Sequence, residues 1–241
     1  MIDTAERATG AELMDRPDQD ERDLDIALRD LRAVNRWLGG WRVLRSRMAD
    51  QLHALPRGDY SVLDVGTGSG DLAIRLVRWA RRHGYRLRVL ATDVHPTTLE
   101  LARRHTSDEA DVEVGRADAL ALPYPDDAFD FALCSTTLHH FEGGDEVRVL
   151  GEMSRVAGRA LIVNDLRRSS AGLLGARLLA ATAWRRSRLT RHDGPLSVRR
   201  AFTAAELRDA AERAGLRNPI VRSHAPFRVS LVAPGARVTA A

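Results

Sequence analysis

Ser61-Val62-Leu63-Asp64-Val65-Gly66-Thr67-Gly68-Ser69-Gly70-Asp71 decides how this chain is read. The apolar, β-branched run Ser61 to Val65 predicts a strand, the alternating glycines a turn, and Asp71 to His83 a helix stopped by Gly84. Such a unit offers a ligand unpaired N–H groups at a helix start and a backbone that can be approached closely. The spacing Gly66-x-Gly68-x-Gly70 puts Asp71 where a dinucleotide fingerprint needs its third small residue. No Gly-Lys-Ser/Thr follows, which excludes a Walker loop.

Charge narrows the ligand further. Asp64 lies two residues before the turn and Asp71 directly after it, so a pyrophosphate would be repelled. S-adenosylmethionine, with an ammonium and a sulfonium beside one carboxylate, would find acids for its cations and N–H groups for its anion. The plainer reading has Asp64 tying loop amides and Asp71 favouring a helix start, and for each alone both readings stay open. Asp93, after the second strand, is placed to accept from ribose hydroxyls, and Asp118, after the third, from an adenine amino group.

Outward from this unit the chain alternates. Leu87–Thr92 predicts a strand, Pro96–His105 a helix, Val112–Val114 a short strand, Phe129–Cys134 a fourth, Asp145–Val156 a helix and Ala160–Val163 a fifth strand. Alternating strands and helices require parallel pairing and right-handed crossovers, hence an open α/β sheet covered on both faces. Residues 166–200 interrupt the alternation with a helix-like stretch, Ala171–Trp184, followed by Arg185–Arg200 with Gly194-Pro195. A capping box at Thr203 and Glu206 starts another helix over 204–214, and Ile220-Val221 and Phe227–Val232 supply the last two strands. Before the sheet, residues 1–19 read as irregular and mobile. Leu24, Leu28, Leu31, Val34 and Leu38 form one helical stripe, and a second helix follows Gly39-Gly40. The organisation expected is a helical leader over 1–55, closing over the site as a lid, and a catalytic domain over 56–241 with an insertion at 166–200.

Val62 to Gly70, Asp93, Ala117-Asp118-Ala119, Leu122-Pro-Tyr-Pro-Asp-Asp-Ala-Phe-Asp130 and Leu138-His-His-Phe141 together resemble the motif series of class I S-adenosylmethionine-dependent methyltransferases. The proline-aspartate-phenylalanine-aspartate stretch and the paired histidines are most similar to the small-molecule branch that includes ubiquinone/menaquinone biosynthesis methyltransferases. The likeness covers roughly residues 60–165 and fails over 1–55 and 166–200, the segments that choose substrate in that family. It implies a Rossmann-like sheet of seven strands, the last antiparallel. It also implies that Asp64, Gly66, Gly68 and Gly70 hold the methionine end, Asp93 the ribose, Asp118 and Ala119 the adenine, and that Ser135 lies near the methionine moiety. Thr67 and Val94 complete the expected cofactor positions.

Methyl transfer from a sulfonium needs nucleophile, carbon and sulfur aligned in a dry site, and no metal is expected. A phenol or enol acceptor also has to lose a proton, and histidine titrates nearest neutrality. The candidates are His139 and His140 after the fourth strand and His192 in the insertion, against a plainer role for His139 as a packed loop residue. Asp165 paired with Arg167 or Arg191 could position an acidic or phenolic acceptor, or merely fix a loop. Trp37, Trp41 and Trp184 could line an acceptor pocket or pack the helices. Cys134, in a central strand, is assigned no chemistry. The apolar stretch Ala171–Trp184, with Leu174 and Leu178, could wall a channel whose mouth carries Arg185, Arg186 and Arg188, suited to an acidic group or an anionic membrane surface.

Composition sets the outer limits. With 44% hydrophobic and 29% charged residues, whole-chain disorder is excluded. No apolar run approaches the roughly 20 residues that span a bilayer. The acidic start lacks the features of a signal peptide, and one cysteine permits no internal disulfide, so a reducing cytoplasm is expected. All 37 basic residues are arginine, more simply a coding bias than a nucleic-acid footprint. Ser135-Thr136-Thr137-Leu138 stands where base-modifying amino methyltransferases carry an Asn/Asp-Pro-Pro-aromatic run, so no nucleic-acid partner is expected. The function expected is methylation, at oxygen or carbon, of a lipophilic phenolic, quinone-like or polyketide metabolite. A non-catalytic S-adenosylmethionine-binding partner of a biosynthetic enzyme, an RNA methyltransferase and an NAD-dependent oxidoreductase are the alternatives.

Overall fold

The computed structural model describes residue 4, residues 6–235 and residue 237; the remaining ends of the expected leader and catalytic domain lie outside the described residues. Seven strands form one sheet: β1 (Asp59–Val65), β2 (Arg86–Asp93), β3 (Val112–Arg116), β4 (Phe129–Ser135), β5 (Ala157–Leu166), β6 (Ile220–His224) and β7 (Arg228–Pro234). Their order is β3-β2-β1-β4-β5-β7-β6, and only β7 runs antiparallel to its neighbours β5 and β6. The predicted α/β class and strand count hold. Most strands run a residue or two beyond the predicted bounds, and β5 extends at both ends, where Ala157 pairs with Phe129 of β4 and Asn164 to Leu166 pair with β7.

Helices cover both faces. α3 (Asp71–Arg82), α4 (Pro96–Thr106), α5 (Asp145–Val156) and α8 (Ala204–Arg213) are the expected crossovers, and Thr203 and Glu206 form the predicted capping box. In the leader, α1 (Glu21–Trp37) is capped by Asp20, whose side chain accepts from the N–H groups of Arg22 and Asp23. α2 (Gly40–Leu52) lies against β5 and β7, and its Leu44, Met48 and Leu52 are buried in the core on one face of the sheet. Each such side chain contributes about 2 kcal/mol on burial.

The insertion holds two helices, α6 (Ser170–Ala181) and α7 (Arg188–Arg200). α7 runs straight through Gly194-Pro195, with the proline inside the helix. An interior proline forfeits one helical hydrogen bond and costs about 3 kcal/mol, but tertiary packing holds the segment. The Trp184 ring lies over Gly194 so closely that a Cβ there would meet it at 2.5 Å, and Ser197 Oγ donates to the Asp193 carbonyl at 2.9 Å. The irregular leader before α1 is also packed in place. Among its described residues the one regular turn is a 3-10 segment at Leu13–Asp15, whose Leu13 and Met14 N–H groups donate to the Asp193 carboxylate at 2.8 and 3.0 Å. The described residues of this segment, expected to be mobile, lie against α7, which supplies those acceptors. Among the described residues no helix is long and apolar enough to cross a membrane.

Candidate functional site

The parallel register sets β1, β2 and β4 to end side by side, Val65 beside Thr92 on one flank and Cys134 on the other. The loops that follow these ends therefore share one edge of the sheet, and a cavity of about 590 Å³ opens above them. Its floor includes Gly66 to Ser69, Asp93 to His95, Ala117 to Ala119 and Ser135 to Thr137, and its roof comes from α1, α6, α7 and the strap of residues before α1. Thr67, Gly66, Gly68, Asp93, Val94, Asp118, Ala119 and Ser135 all line it, as expected of a cofactor site.

Two predicted positions sit one layer deeper. Asp64 is buried beneath the glycine loop and accepts from Thr67 Oγ1 at 2.7 Å, while Gly70 turns the chain into α3 at φ +71°. Gly66, at φ +71°, passes so close to Thr137 that a Cβ would meet its side chain at 2.2 Å. At Gly68 a Cβ would meet nothing nearer than 3.6 Å, so that turn keeps an open, ligand-sized approach.

Polar groups along this edge await partners. Ser135 Oγ and Asp71 Oδ2 are buried, line the cavity and have no hydrogen-bond partner among the described residues. Buried polar atoms are rarely left so, and these two are free to meet a ligand in the cavity. Asp93 accepts from the Gly68 N–H at 3.2 Å and the His95 N–H at 3.0 Å, which orients its carboxylate while leaving lone pairs toward the cavity. Burial pushes the Asp71 and Asp93 carboxyls up, and lifts Asp64 to about 6 despite the Thr67 hydroxyl. These residues fit a cofactor that brings cationic and hydroxyl groups to the edge. A cation bound here would favour ionised Asp64 and so lower its pKa. Affinity for S-adenosylmethionine should therefore be full above about pH 6 and fall as protons compete below it, by roughly threefold to tenfold. Calorimetric titration on either side of that pH checks the slope.

The far side of the cavity carries a different group. The His139 ring is buried, with Nδ1 at 2.7 Å from Asp165 Oδ1 and Nε2 at 3.5 Å from Glu12 Oε1. His140 is partly exposed, with Nδ1 at 2.7 Å from Asp15 Oδ2 and Nε2 at 3.9 Å from Glu12 Oε2. Burial pulls His139 down, but the Asp165 and Glu12 carboxylates outweigh it and hold the ring at about 10. The carboxylates raise His140 as well, and the two rings pull Glu12 to about 2 against its own burial. Thr136, just before them, is held at φ 57°, a strained value for a β-branched residue, with Arg228 Nη1 donating to its Oγ1 at 2.7 Å.

Several expectations are corrected by this arrangement. His192 does not line the cavity; it is half exposed and bonds its neighbour Asp193 at 2.7 Å, because α7 turns it outward. Asp165 pairs with His139, since the strand end brings the two together, and neither Arg167 nor Arg191 is its partner. Trp184 lines the cavity, whereas Trp37 is 72% exposed and Trp41 packs on the core beside α2. Cys134 is buried in β4, and burial pushes its thiol well above the ordinary value. Glu12, Asp15 and Arg228 were missed: none stands in a periodic or motif setting, and only the folded chain brings them to the site.

Residues 62–159 match the family described as "Methyltransferase domain". The chain is 35% identical over 140 residues to demethylmenaquinone methyltransferase of Deinococcus radiodurans, covering 57% of this chain and 54% of that protein. It is 34% identical over 134 residues to demethylmenaquinone methyltransferase of Thermus thermophilus, covering 54% and 58%. The chain thus spans about half the length of the curated relatives it matches. Among solved structures, a SAM-dependent methyltransferase from Aquifex aeolicus superposes with a TM-score of 0.62 at 20% identity, over 90% of this chain and 100% of that one. Over residues 62–159 the chain thus resembles methyltransferase domains, and it is similar to demethylmenaquinone methyltransferases over about half its length.

Proposed function

We propose that this chain transfers a methyl group from S-adenosylmethionine to a lipophilic small molecule bearing an acidic hydroxyl, such as a hydroquinone, a phenol or an enolised polyketide. One observation carries the reading: a single cavity runs from the glycine loop to an apolar wall built by Ala176, Leu179, Trp184, Val198 and Phe227, with the Glu12, His139 and His140 group as a polar spot beside it. The small Gly172 and Gly175 on α6 face Phe227 and keep that wall open. The relatives are named for demethylmenaquinone, a lipophilic quinone, which supports the lipophilic part of this reading.

Displacement at the sulfonium is an alignment problem. The cofactor loops hold one reactant and the apolar wall the other, while α1, α7 and the strap exclude water from between them. A group that removes a proton at neutral pH must itself be unprotonated, and His139, held at about 10, is not. In the metal-free protein the two imidazoles are hydrogen-bond donors beside the acceptor. They favour its oxyanion, which is nucleophilic at oxygen and at the adjacent ring carbon.

The test is an assay of S-adenosylhomocysteine release over a panel of lipophilic phenols and hydroquinones, with free amino acids and RNA as comparison. Turnover confined to the lipophilic acceptors is expected. Leu178 lines the cavity, so Leu178→Asp should raise acceptor KM about tenfold or more while leaving cofactor affinity unchanged. Leu174 is exposed, as Leu178 is, but lies outside the cavity lining, so Leu174→Arg should leave KM unchanged. Turnover of RNA alone, or equal effects of the two substitutions, would overturn the assignment.

A further inference from the structure

The group that meets the acceptor is built in the form of a metal site. Glu12, His139 and His140 each offer one donor atom, and these atoms lie within 4.8 Å of one another. Donors bound about 2.1 Å from a tetrahedral ion stand roughly 3.4 Å apart. His139 Nε2 lies 3.5 Å from Glu12 Oε1 and His140 Nε2 3.9 Å from Glu12 Oε2, so the two rings flank the carboxylate at close to that spacing.

The supporting contacts follow the same logic. Each ring has its Nδ1 taken by a separate carboxylate, Asp165 for His139 and Asp15 for His140, both at 2.7 Å. Metal-bound histidines almost always donate their other N–H to such an acceptor, which fixes the tautomer and aims Nε2 at the ion. Ser197 Oγ donates to Glu12 Oε1 at 2.8 Å and steadies the third donor. The Nε2 of His139 is buried and has no hydrogen-bond partner among the described residues. It is the atom that an ion would satisfy.

We propose that Glu12, His139 and His140 bind one divalent transition-metal ion of the zinc type, with its remaining position open to the cavity. Two imidazole donors disfavour magnesium and calcium, which take oxygen ligands. Two histidines, one glutamate and an open place form the donor set of a catalytic rather than a structural zinc. The role of that open place rests on the methyltransferase reading, under which the acceptor's hydroxyl oxygen occupies it. This runs against the metal-free reaction expected from the sequence.

The test treats purified full-length protein with a chelator, then titrates zinc by calorimetry and cobalt by visible absorption, with S-adenosylhomocysteine affinity measured in parallel. One ion per chain is expected, with the intense cobalt bands of a four-coordinate site. Glu12→Gln and His140→Gln, at the partly exposed ring, should each weaken the ion by about tenfold to hundredfold or more, while S-adenosylhomocysteine binding stays intact and reports that the variants fold. A cobalt spectrum no different from the aqueous ion, or equal binding by wild type and both variants, overturns the proposal. Metal binding without any S-adenosylhomocysteine affinity would instead overturn the methyltransferase reading and leave the metal site standing.

Discussion

Replacing Asp165 with asparagine should destabilise the protein by about 3 kcal/mol, because breaking one side of a buried ion pair leaves the other charge without its partner. For a chain of this size that corresponds to a fall in Tm of roughly 6–12 °C. The Asp165 side chain is fully buried and accepts from both the His139 N–H, at 3.0 Å, and the ring Nδ1, at 2.7 Å. Burial would raise this carboxyl, but His139 outweighs it and holds it below its ordinary 3.8. A carboxyl held low stabilises the fold above 3.8 and loses that contribution as pH falls through its lowered value. An imidazole held high stabilises below 6.5 and loses it as pH rises through about 10. The penalty of the substitution should therefore be greatest between about pH 4 and 6.5 and shrink in alkali. Thermal melts of both proteins across that range check it, and a penalty independent of pH would show that Asp165 acts through packing alone.

The part of the molecule legible in the sequence is the part whose contacts are local or periodic. β1, the glycine loop and α3 announce themselves within eleven residues, and the alternation after them fixes a parallel sheet with its ligand edge. The capping box at Thr203 and Glu206 was legible because both partners lie three residues apart. His139 shows the limit. Its partner Asp165 is on the next strand and Glu12 is in the leader, so its protonation depends on two contacts that no spacing rule connects. α7 was obscured for the same reason: Gly194-Pro195 is a local break signal, outvoted by Trp184 and by the strap that uses Asp193 as its acceptor. Asp64 and Gly70 belong to the motif yet lie beneath the cavity, since a motif records which residues shape a loop and not which of them face the ligand.

Deleting residues 1–19 should cut methyl transfer at least about a hundredfold while changing cofactor affinity only a few-fold. The strap carries Glu12 to the histidines and Met14 to the cavity wall. It is pinned from the insertion side: Leu13 and Met14 donate to Asp193, Arg7 stacks on Phe202 with its guanidinium carbon 3.8 Å from the ring centre, and Arg7 Nη2 donates to the Phe141 carbonyl at 2.9 Å. None of these contacts touches the glycine loop, and among the described residues the strap's hydrogen bond to the cofactor edge runs from His95 Nε2 to the Arg16 carbonyl. Losing the strap would admit water to the acceptor side and remove the carboxylate that holds both rings in place, which acts on turnover more than on cofactor binding. The cut has to stop before α1, because Asp20 caps that helix and α2 supplies Leu44, Met48 and Leu52 to the core. A deletion through residue 55 would confound closure with unfolding. Single-turnover rates and S-adenosylhomocysteine titrations on the shorter deletion separate the two effects. If the shortened chain methylates at the full rate, the strap is no lid; if cofactor affinity collapses in step with turnover, it is a structural brace for the whole edge.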